Sequence, residues 1–390
     1  MSKVQSFWRS IPRKSLTGFL LGVFLIFTTT GIASDIMHLG QQPPIPYAIE
    51  VFLSGSFAVL YAFAGFRLRR QFWKAFLPLF AFQMVMMGVF GNLFPDRPYP
   101  IPIRASDVAK LRGRMSFDGI AIIVIIPLGY TCFVYVLIAE ARRYARVHAE
   151  MLLASQIHRV LVPAIDSTIG NYEFCGRSFP SGEVGGDLVD VFPHHRSWIA
   201  YVADVSGHGV APGVVMGMVK SAARMQLSSR EESSALLERL NSVLYPIKKP
   251  ETFVTFAYVA WNGEQLEYST AGHPPILHYH AASEELSELA CGNFPVGMFG
   301  GSEFLTGSVT SAPDDLFLLF TDGVVEITNA KDEEFGLAAI KAVLSAQARK
   351  PLNEILTALL EAGNRHGHAD DDRSLLLVRI NQPSQSVAVI

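Results

Sequence analysis

Two regimes of apolar spacing divide the chain. Over about the first 140 residues the apolar positions come in long unbroken runs, roughly Leu16–Ala33, Ala48–Phe66, Phe72–Phe94 and Phe117–Ala139. Each approaches the ~20 residues that carry a helix across a bilayer, so four transmembrane helices are predicted. Residues Glu140–Leu161 contain no Gly or Pro and predict a connector helix that stops before Pro163. Within it Val147, Met151, Ala154, Ile157 and Leu161 step by 4, 3, 3 and 4. This short stripe is compatible with a dimeric coiled coil and equally with packing on the chain's own C-terminal domain.

Beyond the connector the runs shorten. Strands are predicted near Tyr172–Arg177, Leu188–Phe192, Trp198–Val205, Phe253–Trp261, Gln265–Thr270, Ile276–Tyr279, Leu316–Phe320 and Ser374–Ile380. Helices are predicted near Ala211–Leu227, Glu231–Leu244, Leu337–Arg349 and Leu352–Asn364. Trp261-Asn262-Gly263-Glu264 signals a tight hairpin. Strand hairpins with paired helices give an α+β layered domain and not a doubly wound parallel sheet. The organisation expected is a transmembrane region over 1–140, a connector helix over 141–165, a catalytic domain over 166–382 and a tail over 383–390.

Composition agrees with this division. Half of the 390 residues are apolar and 17% are charged, with a mean hydropathy of +0.28, too apolar for an ordinary soluble protein. Residues 1–150 hold 16 Lys+Arg against 7 Asp+Glu, and residues 151–390 hold 16 against 28, so a basic half precedes an acidic one. No basic stripe with interleaved aromatics marks the acidic half, which argues against nucleic-acid binding. Three scattered cysteines, Cys132, Cys175 and Cys291, form neither a disulfide framework nor a zinc pattern and suit a reducing compartment.

Orientation follows from the basic residues. Lys3, Arg9, Arg13 and Lys14, then Arg67, Arg69, Arg70 and Lys74, then Arg142, Arg143 and Arg146 fall on one side of a four-span bundle. Arg97, Arg104, Lys110, Arg112 and Arg114 fall on the other. Eleven against five places both ends of the bundle in the cytoplasm. The first span has basic residues ahead of it but no small-residue cleavage site, and reads as a retained anchor. The Pro-rich loops (Pro43, Pro44, Pro46; Pro95, Pro98, Pro100, Pro102) read as stiff connectors. Gln83 lies deep in a span, where helix–helix hydrogen bonding is expected.

The chemistry concentrates in aspartates at turns: Gly185-Gly186-Asp187, Asp204-Val205-Ser206-Gly207-His208-Gly209, Thr321-Asp322-Gly323 and Asp370-Asp371-Asp372. The last three adjoin strand-like runs, whose ends can converge. Buried carboxylates brought together need a cation, and oxygen-only ligands favour Mg²⁺ or Mn²⁺ over Zn²⁺. A lone Asp-Gly is usually only a turn, so the reading rests on the set. His366-Gly367-His368 lacks a third nitrogen or sulfur ligand nearby and reads as a solvated loop. Arg177 is the nearest candidate phosphate clamp, with a surface role as the alternative.

These segments resemble the sporulation-phosphatase (SpoIIE/RsbU-like) branch of the metal-dependent, type 2C serine/threonine phosphatases. The resemblance is carried by Gly176–Pro180 leading into Glu183–Asp187, by Val202–Gly209, Ser269–Pro275, Phe294–Gly297, Phe320–Glu326 and Asp371–Val378, with Gln156–Pro163 ahead of them. It runs in order across roughly residues 152–380 and leaves the membrane half uncovered. Ser374 stands where the family usually has Thr and keeps the hydroxyl. The resemblance implies a β-sandwich flanked by helices with a metal centre at one end. It implies that Asp204 bridges two metals, that the Val205 carbonyl is a further ligand, that Asp322 and Asp371 bind the first metal, and that Asp187 sits beside the centre. His208 and His273 are family-typical and read as structural.

The implied activity is a membrane-anchored phosphoserine/phosphothreonine phosphatase using two Mn²⁺ or Mg²⁺ ions, with Asp204 and Asp322 central to catalysis. The implied partner is a phosphorylated regulatory protein such as an anti-sigma-factor antagonist, and the implied place is the bacterial inner membrane with the catalytic domain in the cytoplasm. A catalytically weak scaffold that binds a phosphoprotein is the main alternative. A small-molecule phosphohydrolase ranks last, because no glycine–lysine nucleotide loop is present.

Overall fold

The computed structural model describes residues 12–68, 71–94, 103–194, 197–207, 209–228, 235–249 and 251–382. Lys3, Arg9, Arg69, Arg70, Arg97, Pro95, Pro98, Pro100, Pro102, His208, the start of the helix expected at 231 and the tail 383–390 lie outside the described residues. The chain divides into two compact units, Met1–His148 and Ala149–Ile390.

The first unit contains four helices long and apolar enough to cross a membrane: α1 (Arg13–Met37), α2 (Pro44–Leu68), α3 (Phe72–Leu93) and α4 (Val108–Leu161). Their outward faces are apolar: Phe52, Phe63, Leu77, Ile123 and Leu137 are all exposed. Small residues bring the backbones close, since a Cβ at Gly31 would stand 2.6 Å from Val51 Cα. Gln83 accepts a hydrogen bond from Tyr61 Oη at 2.9 Å, the interhelical use expected for it.

The fourth span and the connector are one helix of 54 residues, about 80 Å long at 1.5 Å per residue. It begins nine residues before the apolar run, at Val108, because Val108–Ser116 contain no strong helix breaker other than Gly113. It ends at Leu161. Ile165 already lies in the first strand, so the connector boundary drawn at residue 165 falls inside the next element.

The second unit is a two-sheet sandwich with helices on both outer faces. One sheet runs β1 (Ile165–Ile169), β2 (Tyr172–Phe179), β11 (Arg373–Ile380), β10 (Leu316–Phe320), β7 (Ile276–His280) and β8 (Glu285–Leu289). The other runs β3 (Leu188–His194), β4 (Ser197–Val205), β5 (Val254–Trp261), β6 (Leu266–Ala271) and β9 (Gly307–Val309). Every pairing is antiparallel.

Alternation along the strands explains the layers. On β10, Phe317 and Leu319 face the inter-sheet core with Leu376 and Val378 of β11. Leu316, Leu318 and Phe320 face outward and pack with α8 (Gly336–Gln347) and α9 (Leu352–His366) through Ile340, Leu344, Ile355 and Leu359. Being buried on both faces, β10 is apolar throughout. On the opposite side α5 (Val210–Ser228) and α6 (Leu236–Leu244) bury Met216, Val219, Ala223, Leu237 and Leu240. A four-residue turn, α7 (Asp322–Val325), follows β10.

The eight expected strands and four expected helices are present within a few residues of their expected ends, the start of the helix expected at 231 lying outside the described residues. Three strands were not anticipated. β1 shows only one fully buried position, β8 carries glutamates at its first and fourth positions, and β9 is three residues long. The β5–β6 turn is centred on Gly263-Glu264, one residue later than Asn-Gly would centre it. Asn262 N–H closes it on Gln265 O at 3.3 Å, and Asn262 Oδ1 accepts from Glu264 and Gln265 N–H.

Phe317 is fully buried between the sheets and stacks on His278, 4.2 Å between ring centres. Phe317→Ala should cost about 3–5 kcal/mol. The check is the denaturant midpoint of residues 149–390, and an unchanged midpoint would contradict this packing.

Candidate metal centre

Both sheets bring acidic residues to one end of the sandwich. Asp187 immediately precedes β3 and Asp204 is the penultimate residue of β4, and the register pairs Leu188 with Ala203 beside them. Asp322 follows β10 by one residue, while Asp371 and Asp372 precede β11, whose Leu375 pairs with Phe320. The two hairpin-like pairs thus present four of the expected residues, with the Val205 carbonyl, from facing edges.

Hydrogen bonds hold the frame. Thr321 Oγ1, fully buried, donates to Asp187 Oδ2 at 2.8 Å and accepts from Ser374 N–H at 2.9 Å. Asp372 is 4% exposed and accepts from Ser181 N–H at 2.6 Å and Gly186 N–H at 2.7 Å, tying the start of β11 to the Gly185-Gly186 loop. Asp371, exposed, accepts from Asp372 N–H at 2.8 Å. The adjacent pair is therefore divided in role: Asp372 faces the frame and Asp371 the solvent side of the cluster. The resemblance singled out Asp371 and left Asp372 without a role, and neither Asp372 nor Thr321 was expected as a positioning residue.

The electrostatics reveal crowding. Burial, then the fields of Asp322 and Asp371, push the Asp204 carboxyl up to about 7. Burial and the Asp204 field hold Asp187, 1% exposed, well above the usual carboxylate range. Burial and Asp371 raise Asp322, and burial and Asp322 raise Glu326. Several carboxylates disfavouring one another's charge is the signature of a site lacking its counter-charge.

The residues present fit divalent cations. All donors are oxygens, as Mg²⁺ and Mn²⁺ prefer. Gly186 supplies a geometric observation, since a Cβ there would stand 2.8 Å from the Val205 carbonyl oxygen and 3.6 Å from Asp204 Oδ1. Glycine at 186 leaves that carbonyl and carboxylate open on one side.

Other expected or tempting groups lie elsewhere. Arg177 is not free to clamp a phosphate: its guanidinium pairs with Asp166 at 2.7 Å and donates to the Ile165 and Gly176 carbonyls at 2.8 Å. It fastens β1 to β2. Burial presses the His273 imidazole down to about 4, so it is neutral at pH 7 and suits the structural reading. His366 Nε2 lies 2.9 Å from the Glu333 carbonyl, and the His368 side chain is 89% exposed. Among the described residues the tightest metal-type triad is His278, His280 and Asp315, with ligand atoms within 4.8 Å of one another. Asp315 precedes β10, so this triad is at the other end of that strand. Asp315 already accepts from Ala281 and Ala312 N–H and lies 2.9 Å from His278 Nε2, which makes it a hydrogen-bonded corner.

Known proteins resemble this unit. Residues 194–381 match the family model described as Stage II sporulation protein E (SpoIIE). The chain is 25% identical over 207 residues to the phosphoserine phosphatase RsbU of Bacillus subtilis (strain 168), covering 52% of this chain and 61% of RsbU. It is 27% identical over 208 residues to the phosphoserine phosphatase RsbP of the same organism, covering 51% and 50%. The chain thus spans about half to three-fifths of the length of these curated relatives. Among solved structures it superposes on the RsbU and RsbW domains of Rv1364c from Mycobacterium tuberculosis with a TM-score of 0.51 and 25% identity, covering 57% of this chain and 62% of that one. It superposes on the SiaA-PP2C domain of Pseudomonas aeruginosa with a TM-score of 0.54 and 22% identity, covering 62% of this chain and all of that domain. The second likeness concerns the fold alone: both units are type 2C phosphatase-like sandwiches.

Without metal, the crowding makes stability depend on pH. The folded Asp204 carboxyl, at about 7, lies above its unfolded value of about 4. Its stabilising contribution is present below about pH 4 and is lost as pH rises through about 7. In chelator the melting temperature should therefore fall between about pH 5 and pH 8. Asp204→Asn should flatten that slope, and Mn²⁺ should restore the wild-type midpoint at pH 8. A slope equal in wild type and Asp204→Asn would contradict the crowding.

Proposed function

From a C-terminal unit that carries a SpoIIE-type domain of type 2C phosphatase fold, related to RsbU and RsbP, we propose a membrane-anchored, metal-dependent serine/threonine protein phosphatase. The observation that carries this is the convergence of Asp187, Asp204, Asp322 and Asp371 at one end of the sandwich, the three more enclosed ones each raised by burial and by at least one neighbouring carboxylate of the set. Both curated relatives are named phosphoserine phosphatases.

In this reading Asp204, facing acidic partners from both sheets, would bridge two cations, with the Val205 carbonyl open beside it. Asp322 and Asp371 would hold the first, and Asp187, braced by Thr321, would border the centre directly or through water. Bound Mn²⁺ or Mg²⁺ would lower the pKa of a water and neutralise phosphoryl oxygens for in-line displacement. The chain's own contribution is to fix the oxygens rigidly: Asp372 anchors the Gly186 loop, and Thr321 fixes the Asp187 rotamer. No cysteine adjoins the cluster, in keeping with attack by water and not by a thiolate.

The four apolar helices support anchoring in a membrane, and the basic-residue bias supports a bacterial inner membrane with the catalytic unit in the cytoplasm. The substrate would be a phosphorylated regulatory protein, with an anti-sigma-factor antagonist as the specific suggestion. The solved relative that pairs RsbU and RsbW domains in one chain favours a partner of that class.

The end of α4 supports a transmission role. Lys220 of α5 donates to the carbonyl of Leu161, the last residue of α4, and lies 3.5 Å from Asp190, which also takes a bidentate pair from Arg224. Pro212, in the first turn of the same α5, borders Gly186. A single helix thus touches both the connector's end and the aspartate loop. Met151 and Ile157 of the connector stripe are exposed, which favours a partner helix and a homodimer along that part, while Leu161 at its end packs on the chain's own domain.

The test is phosphate release by residues 149–390 from an aryl phosphate and a phosphoserine protein. Turnover should require Mn²⁺ or Mg²⁺ and fall on the order of a hundredfold or more in Asp204→Asn and Asp322→Asn, with the fold retained. Unchanged rates would sink the ligand assignment. Metal binding without turnover, in both this fragment and the full chain, would favour the phosphoprotein-binding scaffold.

A further inference from the structure

Five buried side-chain atoms of the membrane unit lack a hydrogen-bond partner among the described residues, and all five gather around one turn. They are Asp35 Oδ2, Gln41 Oε1, Gln42 Oε1, Arg114 Nη2 and Asp118 Oδ2. Here the end of α1, the turn through Gln42, the start of α2 and the early part of α4 meet. The C-terminal unit follows from the other end of α4. Ionisable groups inside a membrane bundle are costly and usually mark a functional place.

The contacts leave a surplus of acceptors. Arg114 Nε pairs with Asp35 Oδ2 at 2.7 Å, and Arg114 Nη1 donates to the Gln42 carbonyl at 2.6 Å. Gln42 N–H donates to Asp35 Oδ1 at 3.2 Å, and Gln42 Nε2 reaches Glu50 Oε2 at 3.1 Å and Ser34 Oγ at 3.2 Å. Tyr47 Oη donates to Asp118 Oδ1 at 2.8 Å. Asp35 is fully buried and Asp118 is 1% exposed. Since Arg114 answers Asp35 Oδ2, the atoms still open are three oxygens, Gln41 Oε1, Gln42 Oε1 and Asp118 Oδ2, against one donor.

Charge points the same way. Asp35, Glu50 and Asp118 gather at this turn with one guanidinium, Arg114, which pairs with Asp35, and His38 is the remaining titratable side chain there besides Tyr47. Three carboxyl groups against one guanidinium leave the turn rich in oxygen acceptors and short of positive charge. We propose that this turn is a binding site for a divalent hard cation, with Ca²⁺ the best match. The open atoms are carboxylate and amide oxygens on a short turn, which suit the variable coordination of Ca²⁺ better than the strict octahedron of Mg²⁺. The site gives the membrane unit an input of its own and needs no part of the catalytic reading.

The test uses the full chain in detergent micelles, preloaded with Mn²⁺ to fill the C-terminal aspartates, and counts bound Ca²⁺ by equilibrium dialysis. Wild type should hold one Ca²⁺ per chain more than Asp118→Asn. Gln41→Met, which removes an amide oxygen and no charge, should weaken that ion at least tenfold, and it carries the test if Asp118→Asn does not fold. Equal Ca²⁺ binding by wild type and Gln41→Met would overturn the site. So would a wild-type melting temperature that responds to pH and not to Ca²⁺, because a proton shared by Asp35 and Asp118 would then be the missing charge. No arm reads phosphatase activity, so failure of the catalytic proposal leaves the count intact.

Discussion

Carboxylates held together against their own repulsion are the constraint on which the C-terminal unit turns. Burial raises Asp187, Asp204 and Asp322, and neighbouring carboxylates add to it: Asp204 on Asp187, Asp322 and Asp371 on Asp204, and Asp371 on Asp322, so the arrangement is unfavourable by itself. It persists because the sandwich around it is over-determined. β10 and β11 are packed on both faces, and β4 is an interior strand of the second sheet, between β3 and β5. With those strands fixed, the backbone has no freedom to let the acids separate.

The supporting residues follow from that constraint. Asp372 spends its charge on two backbone N–H groups and thereby stays out of the cation set while locking the Gly185-Gly186 loop. Thr321 turns a strand end into a rotamer lock for Asp187. Gly186 matters for what it lacks, because any Cβ would press on the Val205 carbonyl. The opposite tactic governs the N-terminal unit, where Arg114 pairs with the buried carboxylate of Asp35.

Much of this was legible in the sequence because the informative signals were local. The long runs gave the four apolar helices, and β10 was located to its last residue because Leu316–Phe320 is apolar throughout and bounded by Asp315 and Asp322. The aspartate motifs located the site because each adjoins a strand end. What was not legible depends on partners distant in the chain. β1, β8 and β9 are edge or short strands whose residues carry little alternation, so only pairing defines them. Arg177 looked like a clamp until Asp166, eleven residues away on β1, was seen to hold it. Asp371 and Asp372 are chemically identical neighbours, and only the orientation of β11 distinguishes the enclosed one from the exposed one. The polar turn at Asp35, Gln42 and Asp118 joins positions up to 83 residues apart and leaves no linear motif.

The central claim is that the acidic end of the sandwich is a two-cation centre bridged by Asp204. Electron paramagnetic resonance of the full chain titrated with Mn²⁺ tests it directly. Two tightly bound, magnetically coupled Mn²⁺ ions per chain, with the coupling lost in Asp204→Asn, is the predicted result. Isolated Mn²⁺ spectra in the wild type, or coupling that survives Asp204→Asn, would contradict it.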